Sequence, residues 1–242
     1  MLDAVTVVNR EEPDVTQAMA LLWDPPDGPR RGPRPTLAVR SVAAAGIAIA
    51  DADGLAAVTM QRVAAAVGVT KMAIYRYVPG KDDLVAVMVD LAVGPPPELP
   101  DGWRAALDHW ARTLFDRFRA HPWALAATIG PRPIGPNEVA WLDRAVAALA
   151  GTGLRGGEAI DVAATLAGHV RGIAQQGVAV PDGSPEGTMA ATVGAVLAAR
   201  ADRFPALAAA MRSAAEDGAH DQALDFGLAR ILDGVAAFVS TR

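Results

Sequence analysis

The chain has 242 residues, of which 52% are hydrophobic and 20% charged, with a formal net charge of −5 and no cysteine. This length suits two domains or one large one, and it buries most of its apolar surface without covalent staples. The missing thiols exclude disulfides, iron–sulfur clusters, cysteine nucleophiles and thiolate zinc sites, and no run of about 18 apolar residues marks a membrane span. Residues 1–35 read as a flexible, basic and proline-rich arm. Asp3, Glu11, Glu12 and Asp14 stand where a secretory leader would be basic and then apolar, which points to a cytoplasmic protein. Pro25, Pro26, Pro29, Pro33 and Pro35 forbid regular helix, because each removes a donor and restricts its neighbour. A short turn fits around Thr16 to Trp23.

From Thr36 onward the chain reads as almost all helix: alanine is abundant and β-branched alternation is nearly absent. Thr36 is placed to cap a first helix ending near Asp53 at Gly54, with Val39, Val42, Gly46 and Ile49 or Ala50 facing inward. A second helix spans about Thr59 to Val67, its stripe formed by Met60, Val63, Ala64 and Val67. Gly68 breaks it. Thr70 caps a third helix to about Val78, and Pro79-Gly80 stops that one. A fourth opens at Lys81 or Asp82, with Leu84, Met88 and Leu91 on one face. Gly94-Pro95-Pro96-Pro97 marks a boundary, and further helices are expected near 102–120, 122–129, 136–150, 156–178, 186–200, 203–217 and 221–240.

The second and third helices carry the offsets of a helix-turn-helix. Ala64 is small where the helices cross, Gly68 tolerates positive φ in the turn, and Ile74 points back into the core. Lys71, Met72, Ala73, Tyr75, Arg76 and Tyr77 then lie on or beside the outward face. A helix of seven or eight residues fits a major groove about 12 Å wide. Lys71 and Arg76 can bond guanine edges or phosphates, and Met72 and Ala73 can touch thymine methyls. The hydroxyls of Tyr75 and Tyr77 can reach phosphates while their rings pack; the plain alternative, stronger for Tyr77 than for Tyr75, is that the rings only plug the core. Thr36, Thr59, Gln61, Thr70 and Lys81 sit at helix starts, where backbone N–H groups and a cation favour phosphate. Arg30, Arg31 and Arg34 form an arm suited to a minor groove or to phosphates.

Charge agrees with that placement. Residues 30–81 hold eight basic and two acidic side chains, a balance of +6, against −11 for the rest of the chain. One basic segment on an acidic body suggests a local polyanion site, and chance clustering of surface arginines is the plain alternative.

The run Met60-Gln61-Arg62-Val63-Ala64-Ala65-Ala66-Val67-Gly68-Val69, followed by Ala73-Ile74-Tyr75-Arg76-Tyr77-Val78-Pro79-Gly80-Lys81-Asp82-Asp83-Leu84, resembles the DNA-binding domain of the TetR family of bacterial repressors. Weaker marks, His121-Pro122-Trp123, Gly135-Pro136-Asn137, Phe226-Gly227-Leu228 and Leu232-Asp233-Gly234, resemble the tetracycline-repressor-like body. The resemblance implies an all-α protein in three parts: the arm 1–35, a three-helix helix-turn-helix domain 36–82, and a helical bundle 83–242 for ligand binding and dimerisation. It implies a homodimer that holds a palindromic, double-stranded operator and leaves it when a small molecule enters the bundle. Thr59, Lys71, Met72, Ala73, Tyr75 with its two followers, and Lys81 correspond to the family's DNA contacts. Gln61 departs from the basic residue often found there.

The body concentrates Trp103, Trp110, Phe115, Phe118, Trp123 and Trp141, which either fill a core or line a cavity. With the family in view, Trp110, Phe118, Trp123, Trp141, His169 and Gln175 are the candidate contacts for a mostly apolar or aromatic effector. Tetracycline repressors hold a magnesium-chelated drug through a histidine before the Arg-Pro that is here Arg132-Pro133. Thr128 stands near that place, so no metal or other cofactor is expected. Small residues on the helices near 156–178 and 221–240 suit a two-fold four-helix interface or close packing within one chain. An effector-independent activator or architectural DNA-binding protein is the second reading. An enzyme is the third, and it lacks any nucleophile, phosphate-loop or metal motif.

Overall fold

A computed structural model describes residues 15–23, 38–179, 185–217 and 222–242. Every regular element among them is helical: α1 (Val15–Trp23), α2 (Val39–Asp53), α3 (Met60–Ala66), α4 (Lys71–Ile74), α5 (Lys81–Val93), α6 (Trp103–Ala120), α7 (Trp123–Ala127), α8 (Pro136–Ala148), α9 (Gly156–Ala179), α10 (Pro185–Leu197), α11 (Pro205–Asp217) and α12 (Ala223–Val239), with one 3-10 turn at Leu55–Ala57. The fold is therefore all-α, with a small N-terminal helix-turn-helix unit carried on a helical body.

The N-terminal helices follow from their apolar stripes. Val39, Val42, Ala43, Gly46, Ile49 and Ala50 are the buried side of α2, and Met60, Val63 and Ala64 that of α3. The α2 helix packs on α5, where a Cβ at Gly46 would lie 2.6 Å from Met88 Sδ, and α3 packs on α2 and α4; Leu84 and Met88 of α5 are wholly buried. Burial of such side chains contributes roughly 1.5–3 kcal/mol each. Gly54 ends α2 at φ 80°. Gly68 turns the chain between α3 and α4 at φ 73°, a left-handed conformation that costs an L-residue roughly 1–2 kcal/mol. No atom lies within 4 Å of where a Cβ would sit, so backbone strain alone sets the effect of a substitution there. Gly68→Ala is expected to lower stability by about 1 kcal/mol, read as a fall in denaturation midpoint with unchanged m-value.

Two expectations change, and a third falls outside the described residues. The α2 helix starts at Val39 behind Ala38, which makes no side-chain cap, and Thr36, the expected cap, lies outside the described residues. The third helix is shorter than seven residues. Only Lys71–Ile74 is α-helical, and the chain then tightens into turns, with Tyr77 N–H bonding the Ile74 carbonyl at 2.9 Å. Residues 15–23 form a helix where a short turn was expected. Its end is tied down, because Leu22 is buried and the Trp23 indole N–H donates to the Ile134 carbonyl at 3.0 Å.

Two polar joints fasten α2 and α5 to the helices that follow. At the end of α2, Asp51 accepts the Trp123 indole N–H at 2.7 Å and lies 2.8 Å from His121 Nδ1. On α5, Asp90 is 5% exposed, and its Oδ1 accepts the backbone N–H groups of Asn137 and Glu138 at 2.9 and 3.2 Å. The Asn137 amide donates to Asp90 Oδ2 at 3.0 Å. Asp90 thus supplies, from another helix, the acceptor that the first turn of α8 lacks. Gly135 makes room for it, since a Cβ there would sit 2.1 Å from Asp90 Oδ1.

Candidate DNA-reading surface and effector cavity

The exposed face of the helix-turn-helix begins with two threonine caps. Thr59 Oγ1 accepts from Arg62 N–H and Thr70 Oγ1 from Ala73 N–H, each at 3.2 Å. Both hydroxyls are left with a proton to donate outward. Ile74 and Val78 are fully buried, which turns the rest of this segment to solvent. Lys71 and Arg76 are exposed, Tyr75 is 38% exposed and Met72 is 75% exposed. An apolar side chain thrust that far into water has no packing role here. Ala73 and Tyr77 are half-buried, and the Tyr77 ring packs against the core. Gln61 is exposed on α3, and Lys81 is exposed at the first position of α5. Arg62 is not a free cation, because Asp53 pairs with it. Among the described residues no carboxylate pairs with Arg40, Lys71, Arg76 or Lys81. Thr36, Arg30, Arg31 and Arg34 lie outside the described residues.

In the body, a cavity of about 230 Å³ opens between α6, α8 and α9. Trp110, Phe118 and Trp141 line it, together with Thr128, Arg132, Glu138 and Arg171. Trp110 and Trp141 meet edge to face, with ring centroids 5.6 Å apart. The Trp110 N–H donates to the Trp141 carbonyl and the Trp141 N–H to the Gly94 carbonyl, both at 2.9 Å. Arg132 grips Glu138 through both guanidinium nitrogens, one contact being 2.8 Å.

The structure brings only half of the expected effector contacts to this cavity. Trp123 is buried at the Asp51 joint. His169 lies against α12, its Nε2 3.3 Å from the Leu224 carbonyl and its ring so near Gly227 that a Cβ there would approach within 2.1 Å. Gln175 is exposed on α9. The polar residues Arg132, Glu138 and Arg171 were not among the expected contacts. Arg132 belongs to the Arg132-Pro133 pair already marked by the resemblance, whereas Glu138 and Arg171 carry no local signal beyond the apolar periodicity of α9, on which Arg171 stands beside Val170 and Ala174. Among the described residues no cluster of His, Asp or Glu could hold a metal ion, and no helix is long and apolar enough to cross a membrane.

A helix-turn-helix with a cation-bearing exposed face, mounted on an all-helical body, defines a sequence-reading DNA-binding protein. Residues 43–88 match the family of bacterial regulatory proteins, tetR family, and residues 96–239 match the tetracyclin repressor-like C-terminal domain. The chain belongs to the TetR family and is a transcriptional regulator, not an enzyme. It is 34% identical over 244 residues to the HTH-type transcriptional repressor DrrR1 of Streptomyces coeruleorubidus, covering 95% of this chain and 88% of that one. It is 29% identical over 229 residues to an HTH-type transcriptional regulator of Saccharopolyspora erythraea, covering 91% and 93%. Among solved structures it is similar to ActR of Streptomyces coelicolor in complex with actinorhodin, with a TM-score of 0.71 at 25% identity over 84% of this chain and 99% of that one.

Proposed function

We propose that this regulator is a cytoplasmic repressor that grips a palindromic operator as a homodimer and releases it when a small, largely aromatic molecule enters the cavity. The observation that carries this reading is the shared position of Glu138. Its side chain lines the cavity, and its backbone N–H is held by Asp90 of α5. The N-terminus of α5 directly follows the DNA-reading segment, so a shift of α8 around a ligand moves the base of that segment. Thr59, Gln61 and Lys81 would hold phosphates, and Lys71, Met72, Ala73, Tyr75 and Arg76 would meet the groove. DrrR1 is named a repressor, and ActR is known holding actinorhodin, which supports the same reading here.

Dimerisation would use the outer faces of α9 and α12. Ile160, Phe226 and Phe238 are exposed there at 49%, 65% and 43%, and Gly168, Gly172 and Gly234 have open space around them. Two-fold pairing would cover these apolar side chains. The test is fluorescence anisotropy of the homodimer on DNA taken from upstream of its own gene, repeated with actinorhodin and with smaller aromatic compounds. A steep salt dependence and a loss of affinity of about 5–150-fold with one of the compounds are expected. Operator affinity that stays constant while a compound raises the melting temperature would instead make it an effector-independent regulator.

A further inference from the structure

The polar groups around the cavity are nearly all spent on one another. Both tryptophan N–H groups are bonded to carbonyls. Arg132 and Glu138 neutralise each other, and the Thr128 hydroxyl lies 2.9 Å from the Ala124 carbonyl to which it donates. Arg171 is the exception. Its guanidinium meets only neutral partners among the described residues: the Thr128 hydroxyl, the Leu125 carbonyl at 3.0 Å and the Phe118 ring, 5.5 Å from its centroid. Its remaining N–H groups have no acceptor there. Burial, helped by the positive charge of Arg132, pushes its pKa below the ordinary guanidinium value, while Glu138 pulls the other way. The lining therefore holds two guanidiniums against one carboxylate.

A partly desolvated cation facing an apolar cavity is costly until an anion joins it, and the planar fork of arginine matches a carboxylate. We propose that the effector is an aromatic carboxylate whose acid group pairs with Arg171 while its rings lie against Trp110, Phe118 and Trp141. This deepens the effector reading and rests on it. Ala163, Ala164 and Ala167 of α9 keep the opposite wall low, which leaves a slot for a flat molecule. At about 230 Å³ the cavity is below the roughly 300–1,000 Å³ common for drug-sized ligands, and so it suits a small ring system.

The probes 2-naphthoate and 2-naphthamide have the same rings and differ in charge. Each is titrated into the full chain and followed by tryptophan fluorescence, since Trp110 and Trp141 line the cavity. The acid is expected to bind about tenfold or more tightly than the amide. Arg171→Met should bring the acid down to the level of the amide, and Arg171→Lys should keep part of the preference. Equal affinity for both probes in the unaltered protein overturns the acid anchor and leaves the cavity as the effector site. No fluorescence change with either probe up to millimolar concentration overturns both. If Arg171→Met does not fold, the acid–amide comparison in the unaltered protein decides alone.

Discussion

Asp90→Ala is expected to cost about 2–4 kcal/mol of stability, a fall of roughly 5–12 °C in melting temperature for a chain of this size. The N–H groups of Asn137 and Glu138 lose their acceptor at once, and the Asn137 amide loses one of two, keeping the Asp90 carbonyl at 3.0 Å. Both N–H groups belong to the first turn of α8, which has no intrahelical partner for them. The site is closed to water on the α5 side, so the donors would be left unsatisfied rather than rehydrated. Asp90→Asn should cost less, because one oxygen can still serve both backbone groups, but its new NH₂ must face the Asn137 amide. Gly135→Ala attacks the same joint from the other side by colliding with the carboxylate. A pH signature separates this joint from ordinary packing. Burial pushes the Asp90 carboxyl above its usual range, against the pull of the Glu138 and Asn137 backbone N–H groups. The folded state therefore binds its proton more readily than the unfolded chain does. The associated stability is fully present below the unfolded value near 3.8 and is lost as pH rises through the folded value. The penalty of Asp90→Ala should accordingly be larger near pH 4 than near pH 8, as measured by denaturant unfolding at both.

Replacing Tyr75 and Arg76 together by alanine is expected to lower operator affinity about a hundredfold or more while leaving stability within about 0.5 kcal/mol. Both side chains are exposed and carry no internal ion pair among the described residues, so their loss is expected to act on DNA binding and on little else. Lys81→Ala should behave differently. A cation at the start of α5 is proposed to meet phosphate, so its loss is expected to weaken binding to all duplexes alike and to reduce the salt slope by about 1. Affinity measured on operator and on scrambled duplex, across a salt series, separates the two effects. Unchanged operator affinity in the double variant would remove α4 and its following turn from the reading surface.

The helix-turn-helix was legible because its signals are local. Ala64, Gly68 and Ile74 lie within eleven residues, and each answers one steric demand of two helices crossing through a tight turn. Helix boundaries in the body were legible for the same reason, since proline and glycine act on their own neighbours. The length of α4 was not: four α-helical residues followed by tightened turns keep Ile74 and Val78 inside just as a full helix would, so the apolar pattern cannot tell them apart. The cavity was half legible. Trp110 and Trp141 come from helices that pack directly, but Arg171 meets Thr128 across 43 residues and Trp123 was claimed by Asp51 across 72. The motifs His121-Pro122-Trp123 and Gly135-Pro136-Asn137 carried the resemblance before they carried a reason. The structure supplies one, because the first meets Asp51 of α2 and the second meets Asp90 of α5, the helix that follows the DNA-reading segment. Phe226-Gly227-Leu228 is similar, its glycine admitting the His169 ring to α12.

Selection of bound sequences from randomised duplexes, with the number of chains per duplex counted in the same complexes, tests the account most directly. It predicts enriched inverted repeats with half-site centres about 34–36 Å apart, or a multiple of that spacing, each occupied by paired chains. Enrichment of an unrepeated element held by one chain, or of no sequence at all, would contradict it.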